Sequence, residues 1–371
     1  MRRNGRITAA SALAGLALVA AACGSSKSAT TTTTAGATTT AKPAVNVGLL
    51  YDITGRGDKS FNDAAANGLD KAKTDFGVVG AESTPTKTDG SDRTPRLDTI
   101  VTGGNGLVIG VGFLWNAAVT KGSQDHPNTK FVLIDDVSML PGPDGKPFTA
   151  DDVPPTNVRD STFAEEQGSY LVGVAAALKT KTKKVGYIGG VQNALIQKFE
   201  AGFVAGVKSI DPSITVDVKY ITQPPDFSGF NAAGKGQEIA TAMYGKGEDI
   251  IYAAAGASGI GMFNAAKAAS ASGTKVWGIG VDSDQYNTVG ADLAPYVLTS
   301  MIKHVEVAVY EAIKAYVDGT FTAEHIIYDL KAGGVGYSTT GGFIDDIKAK
   351  VDAAAADITS GKVTVPTKPG T

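Results

Sequence analysis

A short segment beginning at Gly48 holds the side chains best suited to binding a small polar molecule. Gly48 to Tyr51 is an apolar run that predicts a strand, and Asp52 follows where that strand should end. A glycine-bearing loop comes next, and Phe61 and Asn62 then open a predicted helix. In an open α/β sheet the ligand crevice lies beyond the carboxyl ends of the strands. We therefore expect Asp52, Phe61 and Asn62 to place a carboxylate, an aromatic ring and an amide in such a crevice.

Two more carboxylates occupy the same kind of position. Asp135 and Asp282 each follow a later predicted strand, and Lys303 lies just past another. Carboxylates accept hydrogen bonds in pairs, which suits the vicinal hydroxyls of a sugar. Since buried charges need compensation, Lys303 is the candidate counter-charge. Each carboxylate alone could be a turn cap or a surface charge, but several strands that end in the same way favour a shared cleft.

Aromatic residues near glycines form the second candidate group. Phe61 and Phe230 lie in glycine-flanked segments rather than on the apolar stripe of a helix. A planar base or ring between two phenyl faces would explain both positions. Trp115 follows another predicted strand and is expected either to contact the same ligand or to pack beneath the loop.

The residues that catalysis would need are poorly represented. The three histidines, His126, His304 and His325, are scattered and have no partner at metal-ligand spacing. The run from Gly256 to Gly261 has glycines in the reverse order of the dinucleotide-binding motif. It predicts instead a close turn at which the backbone of Gly256 approaches a ligand. We expect no catalytic residue, no metal and no cofactor.

Strands and helices alternate along the chain, which predicts parallel sheets with right-handed crossovers. One helix is expected from Asn62, as its N-cap, to Phe76. The predicted strands are Val45–Tyr51, Gly106–Val111, Phe131–Ile134, Lys184–Ile188, Ile214–Tyr220, Asp249–Ala254, Lys275–Val281 and Tyr296–Thr299.

The order of these elements predicts an α/β fold with two doubly wound parallel-sheet lobes. The N-terminal lobe is expected over residues 45–159 and the C-terminal lobe over 160–299. Residues 300–371 are expected to return to the N-terminal lobe as hinge and tail. Because the chain crosses between the lobes more than once, the lobes should move by bending at a multi-strand hinge.

Residues 139–157 interrupt the alternation with five prolines and two glycines and predict an inserted surface loop. Asp144, Asp151 and Asp152 within it weakly resemble a calcium-binding loop, but the ligand spacing of an EF-hand is absent. The loop is therefore expected to reshape the rim of the cleft rather than to bind a metal.

Composition excludes other functional classes. The chain has 371 residues, a net charge of −3, 19% charged residues and 43% hydrophobic residues, which describes an ordinary globular protein. It is not basic enough to suggest nucleic-acid binding, and no nucleic-acid-binding motif is present. The length favours two lobes over one core.

The N-terminus predicts export and lipid anchoring. Residues 1–22 combine three arginines with an apolar, alanine-rich run that is short for a membrane span, as in a signal peptide. Cys23 is the only cysteine, and lipid attachment after cleavage is the best explanation for it, although a plain secretory peptide with an incidental cysteine is the alternative. Residues 23–44 are rich in Ser, Thr and Ala and predict a flexible tether.

Several segments, in this order and spacing, resemble the basic membrane protein family of bacterial substrate-binding lipoproteins, whose best-understood members bind purine nucleosides. The resemblance extends from Val45 to about Gly336. It includes Asp58-Lys-Ser-Phe-Asn62, Phe131-Val-Leu-Ile-Asp135, Glu166-Gln-Gly-Ser-Tyr-Leu-Val-Gly173, Lys184-Val-Gly-Tyr-Ile-Gly-Gly190, Phe199-Glu-Ala-Gly-Phe203, Gly256-Ala-Ser-Gly-Ile-Gly261, Gly280-Val-Asp-Ser-Asp-Gln285 and Leu298-Thr-Ser-Met-Ile-Lys303.

The resemblance implies a type I periplasmic-binding fold and a role for each candidate residue. Asp52 and Asn62 would bind the edge of a base, and Phe61 and Phe230 would stack on its faces. The ribose hydroxyls would be held by Asp282 and Lys303, with help from the Gly256 backbone and Asp135.

The sequence departs from the family pattern in two places. Asn231-Ala232-Ala233 stands where an acidic residue is usual, and an unusual Gln223-Pro-Pro-Asp-Phe227 precedes it, so Phe227 is a rival to Phe230 for the stacking role. The long insertion after Asp136 is the second departure.

By this resemblance the chain is an extracytoplasmic, lipid-anchored, monomeric protein that delivers a nucleoside-like ligand to an ABC permease and ATPase by hinge closure. Other small polar ligands, such as sugars or autoinducer-like molecules, are the alternative substrates. A ligand sensor and a surface nucleoside hydrolase are the alternative functions, and the hydrolase lacks a metal cluster or an evident activated water.

Overall fold

The computed structural model describes residues 45–87, 89–146 and 149–370. The predicted signal peptide, the Cys23 lipidation site and the tether lie outside these residues. Within the described part of the chain, no helix is both long and apolar enough to cross a membrane.

Two six-stranded sheets organise the described chain. The first sheet has the strand order β11-β5-β4-β3-β1-β2 and the second has the order β12-β10-β9-β8-β6-β7. All neighbouring strands are parallel except β10 and β12. The strands are β1 (Asn46–Leu50), β2 (Val79–Ser83), β3 (Leu107–Gly110), β4 (Lys130–Ile134), β5 (Val158–Phe163), β6 (Lys184–Val191), β7 (Thr215–Thr222), β8 (Ile250–Ala254), β9 (Trp277–Asp282), β10 (Val297–Lys303), β11 (His325–Tyr328) and β12 (Val335–Tyr337).

Helices cover these sheets and complete the alternation that the sequence predicts. The central strands β1, β3, β4 and β8 are almost wholly buried, as expected for parallel strands covered on both faces. The helices are α1 (Phe61–Phe76), α2 (Arg93–Thr102), α3 (Asn116–Asp125), α4 (Glu165–Lys179), α5 (Ala194–Ile210), α6 (Ala233–Lys246), α7 (Gly259–Ser270), α8 (Gln285–Thr288), α9 (Val305–Val317) and α10 (Lys348–Thr359).

The chain changes sheets three times, and the changes differ from the predicted boundaries. The chain leaves the first sheet after Phe163 rather than after Arg159, because β5 pairs with β4. The chain then stays in the second sheet as far as Lys303, the last residue of β10, rather than Thr299. After β11 joins the first sheet, β12 returns to the second, and α10 packs on α4 there. The prediction that the whole tail returns to the N-terminal lobe was therefore wrong for β12 and α10.

Four strands were absent from the sequence prediction: β2, β5, β11 and β12. β2 and β11 are edge strands with half-exposed residues, so they lack a continuous apolar run. β5 is buried but carries Arg159 and Asp160, whose charges find partners in Glu324 and Ser138. Hydrophobic patterning does not detect a strand whose interior residues are polar and paired.

Asn62 does not cap α1, contrary to the prediction. The helix begins at Phe61, one residue earlier, and Asn62 lies inside its first turn. The Asp58 carboxylate instead accepts hydrogen bonds from the backbone N–H groups of Ser60, Asn62 and Asp63 at 3.0, 2.8 and 3.1 Å. A carboxylate in this position satisfies the free N–H groups of the helix end and complements its dipole.

Candidate functional site

A cavity lies between the carboxyl ends of the two sheets. Its walls come from the ends of β1, β4, β8, β9 and β10, and from the first turns of α1 and α5. This placement follows from the fold, since ligands in open α/β sheets bind beyond the carboxyl ends of the strands. Eight of the nine predicted ligand-binding residues line the cavity: Asp52, Phe61, Asn62, Asp135, Phe230, Gly256, Asp282 and Lys303.

Asn62 fixes the loop that carries Asp52. Its Oδ1 accepts the backbone N–H of Asp52 at 2.8 Å, and its Nδ2 donates to Thr54 Oγ1 and Asp58 Oδ2, both at 2.9 Å. The two donors of the amide are thus already used within the loop. The geometry therefore suits Asn62 to positioning the loop, although a direct contact with the base edge was predicted for it.

Lys303 is the centre of a buried ionic cluster. Its Nζ lies 2.6 Å from Asp135 Oδ1 and 3.1 Å from Glu165 Oε1, and the lysine is only 1% exposed. The ammonium also lies 5.1 Å from the centroid of the Phe61 ring and 4.9 Å from that of Phe163, within cation–π range. Burial alone would lower the pKa of Lys303, but the surrounding carboxylates outweigh it and hold this pKa above its usual value. The cavity therefore contains a permanent positive charge.

Asp135 and Asp282 occupy equivalent positions in the two sheets. Asp135 follows β4 and Asp282 ends β9, and these strands hold the same place in the two strand orders. Both residues have left-handed backbone conformations, with φ of 73° and 64°. Non-glycine residues rarely adopt this conformation, and it often marks functional sites. Asp135 and Asp282 thus bring equivalent carboxylates from the two lobes to the cavity.

The two lobes are in contact around the cavity. Ser60 Oγ lies within hydrogen-bonding distance of Asp282 Oδ2, at 2.7 Å, and of Val281 O, at 3.1 Å. Ser283 Oγ donates to Ser60 O at 2.9 Å, and Gln285 Nε2 donates to Lys59 O at 3.0 Å. These bonds join the start of α1 in one lobe to the end of β9 and the start of α8 in the other, so the two lobes touch beside the cavity.

The structure distinguishes the two rival phenylalanines. Phe230 lines the cavity, and its ring centroid lies 6.4 Å from that of Phe113 in an edge-on arrangement. Phe227 is not among the cavity-lining residues and packs against Phe113 from 5.9 Å. Phe230 is therefore the better placed of the two for stacking on a ligand.

Trp115 was predicted as a possible ligand contact, and the structure places it elsewhere. It is fully buried and does not line the cavity. Its indole Nε1 donates to the backbone carbonyl of Tyr51 at 2.9 Å. The alternative, packing beneath the loop, is what the structure shows.

Sequence reasoning missed several residues that shape the site. Phe113 and Phe199 line the cavity, and Glu165, which begins α4, completes the ionic cluster although it is fully buried. β3 and β8 hold the same place in the two sheets, and Gly112 follows β3 as Gly256 follows β8. Because Gly256 was predicted to approach the ligand, the equivalent turn at Gly112 and Phe113 could have been predicted to do so as well. No local pattern marks Phe199, which reads as an ordinary apolar position of α5.

The inserted loop shows no metal site within the described residues. No group of three or more potential ligands is found there or elsewhere in the described chain. Asp151 accepts hydrogen bonds from Thr149 Oγ1 at 2.7 Å and from the backbone N–H of Asp144 at 3.2 Å. The acidic residues therefore stabilise the turn of the loop itself.

The buried carboxylates predict how stability depends on pH. Burial raises the pKa of Asp282 to about 7, against the opposing effects of Lys303 and Ser60, and raises that of Asp52 to about 6. Between the unfolded pKa of about 3.9 and these values, the folded state binds more protons than the unfolded state. We therefore expect the ligand-free protein to lose stability as the pH rises through this window.

The test is urea unfolding of the ligand-free protein between about pH 5 and about pH 7.5, in comparison with Asp282→Asn. Between about pH 5 and its pKa of about 7, at about 1.4 kcal/mol for each pH unit, Asp282 should contribute about 2–3 kcal/mol to the decline. His304, whose pKa is raised by Glu306, changes stability in the same direction, so the informative quantity is the difference between the two proteins. Equal pH slopes for wild type and Asp282→Asn would contradict this prediction.

Known proteins are similar to this chain over the part that contains all the residues that line the cavity. A family model described as ABC transporter substrate-binding protein PnrA-like (Bmp) matches residues 44–368. The ABC transporter nucleoside-binding protein BmpA of Lactococcus lactis subsp. cremoris (strain MG1363) is 37% identical over 342 residues, covering 88% of this chain and 90% of that protein. An uncharacterized lipoprotein of Pyrococcus horikoshii is 33% identical over 301 residues, covering 79% and 69%. The crystal structure of an ABC transporter solute-binding protein from Aeropyrum pernix K1 matches with a TM-score of 0.73 at 27% identity, covering 88% and 94%.

Proposed function

Because the chain belongs to the Bmp family of PnrA-like ABC transporter substrate-binding proteins, we propose that its cavity binds a purine nucleoside for import. Membership of this family implies a small-molecule ligand, transporter partners and an extracytoplasmic location. The family comprises solute-binding proteins and not enzymes, as the sequence predicted. The two-lobe periplasmic-binding fold is likewise confirmed by the match to the Aeropyrum pernix protein.

The nucleoside proposal rests on one observation: the cavity is lined by aromatic rings as well as by charged side chains. Phe61 and Phe230 provide aromatic surface suited to the faces of a base. Asp135 and Asp282, with the buried ammonium of Lys303, provide acceptors and a donor suited to vicinal hydroxyls. A nucleoside combines these two chemistries in one molecule, whereas a free sugar has no planar base to lie against the two rings.

Asp52 is separate from this ionic cluster because its counter-charge is Arg93 and not Lys303. The other cavity-lining carboxylate, Asp58, already accepts hydrogen bonds at the start of α1. The location of Asp52 suits it to the edge of the base. The name of the Lactococcus lactis relative, a nucleoside-binding protein, supports the same ligand class.

Binding by closure accounts for the contacts between the lobes. A ligand that touches Phe61 on one lobe and Asp282 on the other stabilises the closed form by its greater affinity for it. The permease would recognise that closed form. The lipid anchor at Cys23, the tether and the monomeric state complete the proposal. The Pyrococcus horikoshii relative is described as a lipoprotein, which supports the anchor.

The experiment is a thermal-shift screen of the purified protein against nucleosides, free bases and sugars. At a concentration of about 100 times Kd, a ligand that binds only the folded state adds about 2.7 kcal/mol of stability. We expect the melting temperature to rise by several degrees with a purine nucleoside and less with its free base or with ribose. A rise with sugars and none with any nucleoside would contradict the proposal.

A further inference from the structure

A buried arginine lies behind the carboxylate proposed to face the base. Arg93, the first residue of α2, is 4% exposed and is not among the residues that line the cavity. Its Nη2 lies 3.5 Å from Asp52 Oδ1. Nε and Nη2 of this guanidinium are buried and donate no hydrogen bond within the described residues. A buried charge is unfavourable unless it is paired, and the ion pair with Asp52 compensates the buried charge of Arg93.

Trp115 holds this arginine in place. The guanidinium carbon of Arg93 lies 5.7 Å from the centroid of the indole ring, within cation–π range. The indole is itself fixed by its hydrogen bond to Tyr51 O, one residue before Asp52. Trp115 therefore contacts Arg93, and Arg93 contacts Asp52, in a buried series that ends at the cavity wall.

The two oxygens of Asp52 have different surroundings. Oδ1 accepts the backbone N–H of Ile53 at 2.8 Å and faces Arg93. Oδ2 accepts no hydrogen bond within the described part of the chain, and it lies against Gly112, where an added Cβ would be 2.8 Å away. Gly112 also has a φ of 102°, so the position requires glycine for two reasons. One oxygen is thus held by the protein, and the other is available to a ligand.

We propose that Arg93 is a positioning residue that keeps Asp52 ionised, with Oδ2 facing the cavity, and that the site therefore prefers 6-oxopurine to 6-aminopurine nucleosides. This inference rests on the proposed function. An ionised carboxylate only accepts hydrogen bonds. The N1–H of a 6-oxopurine donates to it, whereas N1 of a 6-aminopurine presents a lone pair that repels it.

The groups around Asp52 show how Arg93 sets this preference. Burial raises the pKa of Asp52 to about 6, Arg93 opposes that rise, and Asp135 at the end of β4 adds to it. On the loop side, Asn62 separates Asp52 from Asp58 by hydrogen bonds to both. Without Arg93 the carboxyl group would therefore hold its proton at higher pH. A protonated Asp52 can donate to N1 of a 6-aminopurine.

The experiment measures Kd for inosine and adenosine by calorimetry, at about pH 7.5 and about pH 5.5, for wild type, Arg93→Met and the conservative Arg93→Lys. We expect wild type to prefer inosine by roughly tenfold or more at the higher pH, equivalent to about 1.4 kcal/mol, and to lose this preference at the lower pH. Arg93→Met should have lost it already at the higher pH, and Arg93→Lys should retain it. The pH dependence of wild type tests the inference even if Arg93→Met does not fold.

An unchanged inosine-to-adenosine ratio in Arg93→Met, or an equal loss of affinity for both nucleosides, would overturn the inference while leaving the proposed function intact. A wild-type ratio that does not change with pH would also overturn it. Wild-type protein that binds neither nucleoside would contradict the proposed function itself.

Discussion

Replacing Lys303 with methionine is expected to abolish nucleoside binding and to lower the free energy of unfolding by about 3–5 kcal/mol. Lys303 is 1% exposed and lies within 3.1 Å of carboxylate oxygens of both Asp135 and Glu165. Its removal leaves those carboxylates buried without a counter-charge, and they must then take up protons or draw in water. The ligand also loses its one cationic donor among the residues that line the cavity.

Urea unfolding and calorimetric titration with inosine measure the two effects of Lys303→Met. Lys198→Met is the matched control, because Lys198 Nζ lies 2.8 Å from Glu165 Oε2 but is half-exposed and does not line the cavity. This control should cost less stability and should keep binding within a fewfold of wild type. Nucleoside binding by Lys303→Met at wild-type affinity would contradict the site.

Replacing Phe230 with alanine is expected to weaken nucleoside binding by roughly 10- to 100-fold, because stacking of a base on an aromatic ring contributes about 1–3 kcal/mol. Phe230 lines the cavity and Phe227 does not, although both pack on Phe113. Phe227→Ala is therefore the matched control, and it should change Kd only slightly.

Calorimetric titration of the two phenylalanine variants measures this difference directly. The melting temperatures of the ligand-free proteins serve as the folding control, since both rings are only partly buried. A greater loss of affinity in Phe227→Ala than in Phe230→Ala would mean that Phe227 is the stacking residue.

The polar strand ends were the part of the site that sequence could predict. Asp52, Asp135 and Asp282 all follow or end parallel strands, and such strands bring their carboxyl ends to one edge of a sheet. Local sequence therefore implies their convergence. Lys303 was predicted for the same reason, although the strand that carries it is longer than expected.

The partners of these residues could not be predicted, because they depend on how helices pack on the sheets. Arg93 and Glu165 each begin a helix, and nothing in the neighbouring sequence distinguishes them from exposed charges near a helix N-terminus. Only the tertiary structure shows that both are buried and face Asp52 and Lys303. The same limitation applies to β5, whose buried charges are paired by contacts distant in sequence.

The central claim is that the cavity between the lobes binds a purine nucleoside and does not transform it. It is tested most directly by calorimetric titration of the purified protein with inosine, followed by chromatography of the mixture. We predict saturable binding of one nucleoside per chain and full recovery of the intact nucleoside. No heat of binding with inosine, guanosine or adenosine, or the release of free base and ribose, would contradict the claim.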